Sequence, residues 1–223
     1  MSLHSPWLSI VIPTLGRPSL AQTLDAIDAQ PDTFLDGVEV LVVADSLGGR
    51  SAQLEEVRDH LACERPLGRY RYLEHDGGVH CYGQPQRSYG ARQARGKWVW
   101  FGQDDNCASS EALLGIRHAT LKFSTAGVLV FRVRTYWGDT VWREPTLRMS
   151  NVDADCLVMR REIAASVTWG LRYEGDYDAA VEAAALSERV EFVDEIIALA
   201  RPEADQRWWT RSGSSANEMK VIA

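Results

Sequence analysis

Apolar and polar positions alternate in blocks through the first half of the chain, and the blocks predict strands and helices in turn. Three mostly apolar runs are typical of strands buried on both faces, as in a parallel sheet: residues 8–13, 38–44 and 97–101. Between them, residues 54–61 carry apolar side chains at helical spacing, and residues 86–95 favour a helix. This alternation predicts strand–helix–strand units and therefore a mostly parallel sheet.

The first predicted helix has a recognisable start signal. Ser19 and Gln22 fit an S-x-x-Q capping box, and apolar residues recur on one face from Leu20 until Pro31 stops the helix. A short strand at 69–74 and a glycine-containing loop at 76–85 follow later in this half.

The second half predicts shorter and more mixed elements. The expected order is a strand, a hairpin partner, a second strand and an alanine-rich helix: 127–136, 140–144, 156–160 and 177–188. Residues 190–199 are β-branched in several places and favour a strand, although a helix fits their middle. We expect one domain over residues 1–207, with halves at 1–106 and 107–207, and a mobile polar tail at 208–223.

Composition narrows the class of protein. The chain has 223 residues, of which 45% are hydrophobic and 25% charged, which is ample for a core. Its 24 basic and 31 acidic residues give a net charge of −7, which argues against nucleic acid as a partner. No apolar run approaches the roughly 20 residues that span a bilayer. The cysteines lack C-x-x-C spacing, so a cytoplasmic location is expected: Cys63, Cys81, Cys107 and Cys156.

Candidate chemistry begins where the apolar run 97–101 leads into Asp104 and Asp105. Ligand sites of open α/β sheets lie just beyond the carboxyl ends of the strands. Two adjacent carboxylates there need a countercharge, and a divalent metal carrying a diphosphate supplies one. A solvated acidic turn is an equally ordinary interpretation of this segment alone.

Four stretches in the right order resemble the GT-A-type glycosyltransferases, in particular the inverting glycosyltransferase family 2. They are the first strand with its Pro-Thr turn, the second strand ending in Asp45, QRSYGARQARGKWVWFGQDDN, and YEGDYDAAVEA. The third is the sharpest, because four of its residues stand in register with the acidic motif of the family: Arg87, Gly90, Ala94 and Gly96. The resemblance implies a single-domain GT-A fold, with a mostly parallel central sheet, helices on both faces and a smaller mixed sheet in the C-terminal half.

The resemblance also implies which residues bind the donor. Pro13, Thr14 and Asp45 would hold the nucleotide base, with Asp45 accepting the ring N–H of uracil. Arg87 and Gly90 would lie along the nucleotide. The half 1–106 would then bind the nucleotide, and the half 107–207 the acceptor.

Three acids would carry the chemistry that the resemblance implies. Asp104 would touch the ribose or assist the metal, and Asp105 would bind Mn²⁺ or Mg²⁺, which neutralises the departing diphosphate. Asp176 would accept the proton of the acceptor hydroxyl, with Asp178 and Glu174 as fallback bases. The implied activity is inverting, metal-dependent transfer from a nucleotide-diphosphate sugar, a UDP-sugar, to an unknown hydroxyl acceptor.

Several candidates have structural alternatives. Asp176 precedes an alanine-rich helix and would cap it, Asp45 ends a strand, and Arg87 would pair with a helix acid. A cluster with a zinc-like mixture of side chains lacks a second ligand pair and favours a loop role: His75, Asp76, His80 and Cys81. The tryptophans would stack on a sugar or acceptor, form a lid, or pack in the core: Trp137, Trp142, Trp169, Trp208 and Trp209.

The chain departs from the family pattern at Ala44, Gln103 and Gly175, and no histidine follows His118. Glu203, Asp205 or water would then replace the late histidine ligand. These departures leave open a catalytically inactive nucleotide-sugar-binding protein. A dinucleotide-dependent oxidoreductase is disfavoured, because the turn after the first strand has one glycine instead of G-x-G-x-x-G.

Overall fold

A computed structural model of the protein describes residues 5–46, 51–65, 68–77, 81–135 and 137–200. The strands in these ranges are β1 (Leu8–Thr14), β2 (Val38–Asp45), β3 (Tyr70–His75), β4 (Trp98–Phe101), β5 (Asn106–Ala108), β6 (Val128–Arg134), β7 (Thr140–Val141), β8 (Leu157–Arg160) and β9 (Val190–Ala200). The α-helices are α1 (Leu20–Asp28), α2 (Asp32–Leu35), α3 (Ser51–Glu64), α4 (Gln84–Gln93), α5 (Ala112–Lys122), α6 (Arg161–Ser166) and α7 (Gly175–Leu186). A 3₁₀ turn at Ala154–Cys156 precedes β8.

The nine strands of the described ranges form one sheet in the order β3-β2-β1-β4-β8-β6-β9-β5, with β7 paired to β6. β1 is parallel to β2 and β4, and β2 is parallel to β3, as the alternation of strands and helices predicts. β8 is antiparallel to both β4 and β6, so it joins the C-terminal strands to the parallel ones. The expected α/β class is confirmed, and the strand at 190–199 is a strand throughout.

The mostly apolar strands lie at the centre of the core, where every residue of β1, β2 and β4 is buried. Helices cover both faces. α4 packs where Gly90 meets Val11 and Val43, and α1 packs on the opposite face beside Ile10 and Ile12. Burial on both faces explains why these strands have no polar alternation.

The carboxyl ends of the parallel strands meet at one edge of the sheet. Thr14 pairs with Ala44, and Val11 pairs with Phe101, so β1, β2 and β4 end side by side. Because β8 is antiparallel to β4, the start of β8 and the 3₁₀ turn before it lie at the same edge. This edge is where an open α/β sheet binds its ligand.

Residues 102–105, the acid loop, join β4 to β5 although three other strands lie between these two in the sheet. A flat sheet would separate them by about 19 Å, which exceeds the roughly 18 Å that five peptide steps can span. The sheet therefore curls, and β5 returns beside α1, where the Thr23 hydroxyl donates to the Asn106 carbonyl at 2.7 Å.

The capping box predicted for the first helix is wrong. Ser19 is itself in a helical conformation (φ −61°, ψ −23°), and its hydroxyl has no hydrogen-bond partner within the described ranges. The preceding turn already makes helix-like bonds, from the Leu20 and Ala21 amides to the Arg17 and Pro18 carbonyls. The donors that a capping side chain would satisfy are therefore in use.

Other elements differ in extent from the predicted ones. β7 covers Thr140–Val141 alone, shorter than the 140–144 expected for the hairpin partner. α5 was not predicted, because small residues at its buried positions weaken the apolar pattern. None of the described helices is long and apolar enough to cross a membrane. The tail at 208–223 lies outside the described residues.

Candidate active site

Asp104 and Asp105 lie directly after β4 at the carboxyl edge of the sheet, and both are nearly buried. Thr14, at the end of β1, donates its hydroxyl to Asp104 Oδ2 at 2.8 Å. Arg17 Nη1 lies 3.3 Å from Asp104 Oδ1 and 3.1 Å from Asp105 Oδ2, so one nitrogen bridges both carboxylates. The loop after β1 and the acid loop are therefore held together by polar contacts.

The Asp104 carboxyl group is more easily protonated than an ordinary aspartate. Burial is the main reason that the pKa of Asp104 rises from 3.8 to about 6, and the charge of Asp105 raises it further. Arg17 and the Thr14 hydroxyl lower the pKa of Asp104 without cancelling the effect of burial. A more highly charged cation would favour the ionised pair more strongly.

Two further carboxylates, Asp153 and Asp155, face the acid loop from the segment before β8. Gln103 Nε2 donates to Asp153 Oδ1 at 2.7 Å and to Asp155 Oδ2 at 3.3 Å. Asn106 Nδ2 donates to the same Asp155 oxygen. Residues on each side of the acid pair are thus held by one Asp-x-Asp segment. Sequence reasoning missed this segment, although a D-x-D pattern directly before the apolar run 156–160 was available as a signal.

This segment shares an electrostatic environment with the rest of the site. Burial raises the pKa of Asp153, and it raises the pKa of Asp155 well above its ordinary value. The Arg87 guanidinium lowers the pKa of both groups, and the charge of Asp105 raises the pKa of both. Arg87 is therefore the cation that faces this group of acids from α4.

Asp176 lies half-buried in the first turn of α7 and faces the same groups. Burial first, and the charge of Asp153 second, raise its pKa from 3.8 to about 6. Arg87 and backbone hydrogen bonds, including one from Ala154, lower the pKa of Asp176 in part. The N-cap of α7 is Glu174, without a side-chain capping bond, so the interpretation of Asp176 as the helix cap is wrong.

Asp178, one of the fallback bases, is already engaged. Arg172 Nε and Nη2 donate to its two carboxylate oxygens at 2.8 and 2.6 Å. This pairing lowers the pKa of Asp178. A carboxylate held in an ion pair with a lowered pKa is a poorer proton acceptor than one with a raised pKa, which favours Asp176 as the base.

Arg87 is a buried cation, 4% exposed, on the first full turn of α4. Its Nη1 donates to the Tyr82 carbonyl at 2.8 Å and to Gln84 Oε1 at 3.3 Å, and its guanidinium lies 5.4 Å from the ring centroid of Trp169. Its Nε has no hydrogen-bond partner among the described residues, and none of their carboxylates forms an ion pair with it. Arg87 is therefore not paired with a helix acid there, and its unused N–H suits an anionic ligand.

The residues expected to bind the nucleotide base of the donor lie at the ends of β1 and β2. Asp45 is 7% exposed, and the Gly77 amide donates to its Oδ1 at 3.4 Å. Pro13 packs against the start of α4, where a Cβ on Gly83 would lie 2.8 Å from the Pro13 Cβ. Gly83 has a φ of +75°, so glycine suits this close approach on two grounds. Contact with Pro13 thus fixes where the helix that carries Arg87 begins.

Gly90 has a packing role in the structure. A Cβ at this position would lie 2.5 Å from Val11 Cγ1 and 3.0 Å from Val43 Cγ2. α4 can therefore approach β1 and β2 this closely because Gly90 has no side chain. This packing contact explains the glycine at position 90 even if Gly90 does not contact a nucleotide.

The carboxylates at this edge suit a metal ion that binds together with phosphate. Within the described ranges, no group of three or more His, Cys, Asp or Glu side chains is arranged to hold a metal ion. Mg²⁺ and similar ions are commonly bound through one or two carboxylates plus substrate phosphates, and Asp104 and Asp105 fit that requirement. Glu203 and Asp205, the expected replacements for a late histidine, lie outside the described residues.

The suggested zinc cluster has other contacts where it is described. The His75 ring stacks on Tyr89 with centroids 4.7 Å apart, and Asp76 accepts a hydrogen bond from the Ser46 hydroxyl. His80 lies outside the described residues.

The tryptophans divide between core and surface. Trp169 and Trp142 are buried, and Trp169 packs on Phe101 at 4.7 Å between centroids. Trp137 is 60% exposed beside an open cleft of about 490 Å³, which Arg143 and Asn151 also line. Trp208 and Trp209 lie outside the described residues.

The fold and this edge of clustered acids define a class of protein that sequence comparison identifies directly. The sequence profile of glycosyl transferase family 2 matches residues 9–187, and the protein belongs to this family. The resemblance read from the four stretches is confirmed, and the family decides against the dinucleotide oxidoreductase. No curated protein sequence matches the chain.

Solved structures share the fold. Residues 1–349 of S. aureus TarS, in complex with UDP-GlcNAc, align with a TM-score of 0.67 at 17% identity, covering 94% of this chain and 61% of that one. The mannosyltransferase PcManGT from Pyrobaculum calidifontis, in complex with GDP-Man and Mn²⁺, aligns with a TM-score of 0.65 at 17% identity, covering 93% and 60%. The chain therefore spans about 60% of the length of these proteins. The likeness confirms the GT-A-type fold.

Proposed function

We propose that this protein transfers a sugar from a nucleotide-diphosphate donor, a UDP-sugar, to a hydroxyl acceptor with inversion and with the help of a divalent metal. The observation that carries the proposal is the meeting of three features at one sheet edge. They are a bridged carboxylate pair, a buried arginine with an unused N–H, and a half-buried carboxylate whose pKa is about 6. Donor binding, charge neutralisation and proton acceptance need these three kinds of group.

The donor would lie across the end of β1. Asp45 is the last residue of β2 and Asp105 follows β4, so the two acids lie two strand spacings or about 10 Å apart, which is enough for a nucleoside between them. Asp45 would accept a hydrogen bond from the nucleotide base, and Pro13 and Thr14 would lie beneath that base. Arg87 would donate to the anionic part of the donor.

Asp105, assisted by Asp104, would hold Mn²⁺ or Mg²⁺. The bound ion neutralises the charge that develops on the departing diphosphate. The chain's own contribution is to present two nearly buried carboxylates, one of them fixed by the Thr14 hydroxyl.

Asp176 would accept the proton of the attacking hydroxyl. Its raised pKa of about 6 makes it a better proton acceptor than an ordinary aspartate, while more than half of it remains ionised at neutral pH. An attack from the face opposite the leaving group inverts the anomeric carbon. The acceptor half 107–207 supplies this acid and also contains the open cleft beside Trp137, which is our candidate for the acceptor side.

An inactive nucleotide-sugar-binding protein is the competing proposal, motivated by Gln103 in place of a family acid. The contacts of Gln103 favour activity, because its amide is matched by Asp153 and Asp155 and holds the acid loop in place. Because the cysteines lack paired spacing, we keep the cytoplasm as the proposed location.

Titration of UDP with Mn²⁺, and separately with chelator, tests the proposal. We expect Mn²⁺ to strengthen UDP binding by about tenfold or more, and Asp105→Ala to bind UDP equally in both conditions. Asp59→Ala, an exposed acid on α3, is the control that should behave like the unchanged protein. Equal affinity of the unchanged protein with and without metal would refute the metal role.

A panel of UDP-sugars, beginning with UDP-GlcNAc, then separates enzyme from binding protein. Slow donor hydrolysis should release UDP and the inverted sugar, which proton NMR resolves before mutarotation. Tight metal-dependent UDP binding with no turnover of any donor would favour the inactive protein, and a retained anomer would refute single displacement.

A further inference from the structure

Arg17 occupies an unusual position for a surface arginine. Its side chain is 42% exposed, yet Nη1 reaches between two carboxylates whose side chains are 8% and 7% exposed. The same nitrogen lies 3.3 Å from Asp104 Oδ1 and 3.1 Å from Asp105 Oδ2. A single donor atom shared by two carboxylates lies where a shared metal ion would lie.

A metal ion and this nitrogen compete for the same space. Divalent ions in protein sites lie about 2.0–2.6 Å from carboxylate oxygens, so an ion bound to both Asp104 and Asp105 would overlap Nη1. The two cations would also repel each other at this distance. Metal binding by the pair therefore requires Arg17 to move.

Arg17 is the partner that can move. Asp104 is fixed by the Thr14 hydroxyl, and the residues beside the pair are fixed by Asp153 and Asp155. Arg17 has a long, flexible side chain, and its ion pairs to the two acids are the contacts that hold it over the site.

We infer that Arg17 is a built-in substitute for the metal, which neutralises Asp104 and Asp105 in the donor-free protein and is displaced when metal and diphosphate arrive together. Metal alone would bind weakly, because it must displace a cation with no gain elsewhere. Metal with diphosphate would bind well, because the released guanidinium gains phosphate oxygens as partners. This inference rests on the proposed donor site and adds an order of binding to it.

Direct Mn²⁺ titration without nucleotide, followed by calorimetry or by electron paramagnetic resonance of free Mn²⁺, tests the inference. Arg17→Gln should bind Mn²⁺ on the order of tenfold more tightly than the unchanged protein, because the competing charge is gone. Arg17→Lys keeps the charge and should bind Mn²⁺ as weakly as the unchanged protein. Arg58→Gln removes an exposed arginine on α3 and serves as the matched control.

Thermal unfolding provides a second measurement that needs no turnover. Arg17→Gln should unfold at a lower temperature in chelator, because two nearly buried carboxylates lose their countercharge, and Mn²⁺ should restore most of that loss. In the double variant Arg17→Gln with Asp105→Asn, the gain in Mn²⁺ affinity should disappear.

The outcomes separate this inference from the proposed function. Unchanged or weaker Mn²⁺ binding by Arg17→Gln, with normal binding of the Mn²⁺–UDP pair, would refute the inference and leave the donor site standing. Loss of UDP binding by Arg17→Gln even in chelator would make Arg17 a direct donor ligand and also refute it. Failure of the unchanged protein to bind UDP with Mn²⁺ would refute both.

Discussion

Replacing Asp176 with asparagine should slow sugar transfer and, at neutral pH, make the folded protein more stable. The two effects share one cause, which is the raised pKa of a half-buried carboxylate. Removing a positioned proton acceptor costs about 10²–10⁴-fold in rate. A residue kept only for stability would show the reverse, a loss of stability without a loss of rate.

The stability effect follows from the difference between the folded and unfolded pKa values of Asp176, about 6 against 3.8. Because the folded value is higher, the stability that the protonated acid contributes is fully present below about pH 4 and is lost as pH rises through about 6. The loss has an upper limit of about 3 kcal/mol, at about 1.4 kcal/mol per pH unit. Solvent screening of a half-buried group reduces this to about 1 kcal/mol. Asparagine stays neutral at every pH and avoids the loss.

Thermal unfolding at pH 4.0 and pH 7.5, beside donor hydrolysis rates, measures both effects. At pH 7.5 the Asp176→Asn variant should unfold about 2–4 °C above the unchanged protein, and at pH 4.0 the difference should nearly vanish. In the unchanged protein, hydrolysis should rise as pH passes through about 6, since the base must be ionised to accept a proton. The variant should not show this rise.

Asp178→Asn is the matched control, one helical half-turn away on α7. Its carboxylate is held by Arg172 and its pKa is lowered, so its stabilising effect is present above its ordinary pKa and lost as pH falls. The control should lose a little stability at pH 7.5 and keep its rate. Loss of rate in Asp178→Asn, or loss of stability with full rate in Asp176→Asn, would refute the reasoning.

Two other substitutions test the donor half. Asp45→Ala should weaken UDP binding by about 1–3 kcal/mol in calorimetry, which is the cost of leaving a hydrogen-bonding partner unsatisfied. If the folded variant binds UDP within error of the unchanged protein, the uracil base must bind elsewhere. Gly90→Ala should lower the free energy of unfolding by about 1–3 kcal/mol in a denaturant titration, because its Cβ would overlap Val11, while UDP affinity of the folded protein stays the same. Weaker UDP binding with unchanged stability would instead give Gly90 a donor contact.

The sequence predicted the parts of the site that depend on local pattern. Asp104 and Asp105 follow a mostly apolar run, and such runs are typical of buried parallel strands, whose carboxyl ends carry ligands. Asp45 follows the same rule at the next strand. Alternation of strands and helices likewise predicted the parallel half of the sheet.

The parts that depend on topology were not predictable from one sequence. Asp153 and Asp155 precede a strand, and nothing in the pattern says that β8 is antiparallel to β4 and so begins at the functional edge. Arg17 meets acids that are 87 and 88 residues further along the chain. Gly90 stood out in the sequence, but the nearness of Val11 that explains it exists in the folded protein alone.

The acid loop has a consequence for how the chain can vary. The segment 102–105 carries the acids and also connects β4 to β5, with a turn at Asp104 and Asp105 in which the Asn106 amide donates to the Gln103 carbonyl at 3.5 Å. A deletion or an insertion there would change the turn that positions the two acids and would displace β5, which pairs with β9. A substitution at position 103, by contrast, leaves the length of the connection unchanged. We therefore expect the number of residues between β4 and β5 to be restricted by the sheet as well as by the chemistry of the acids.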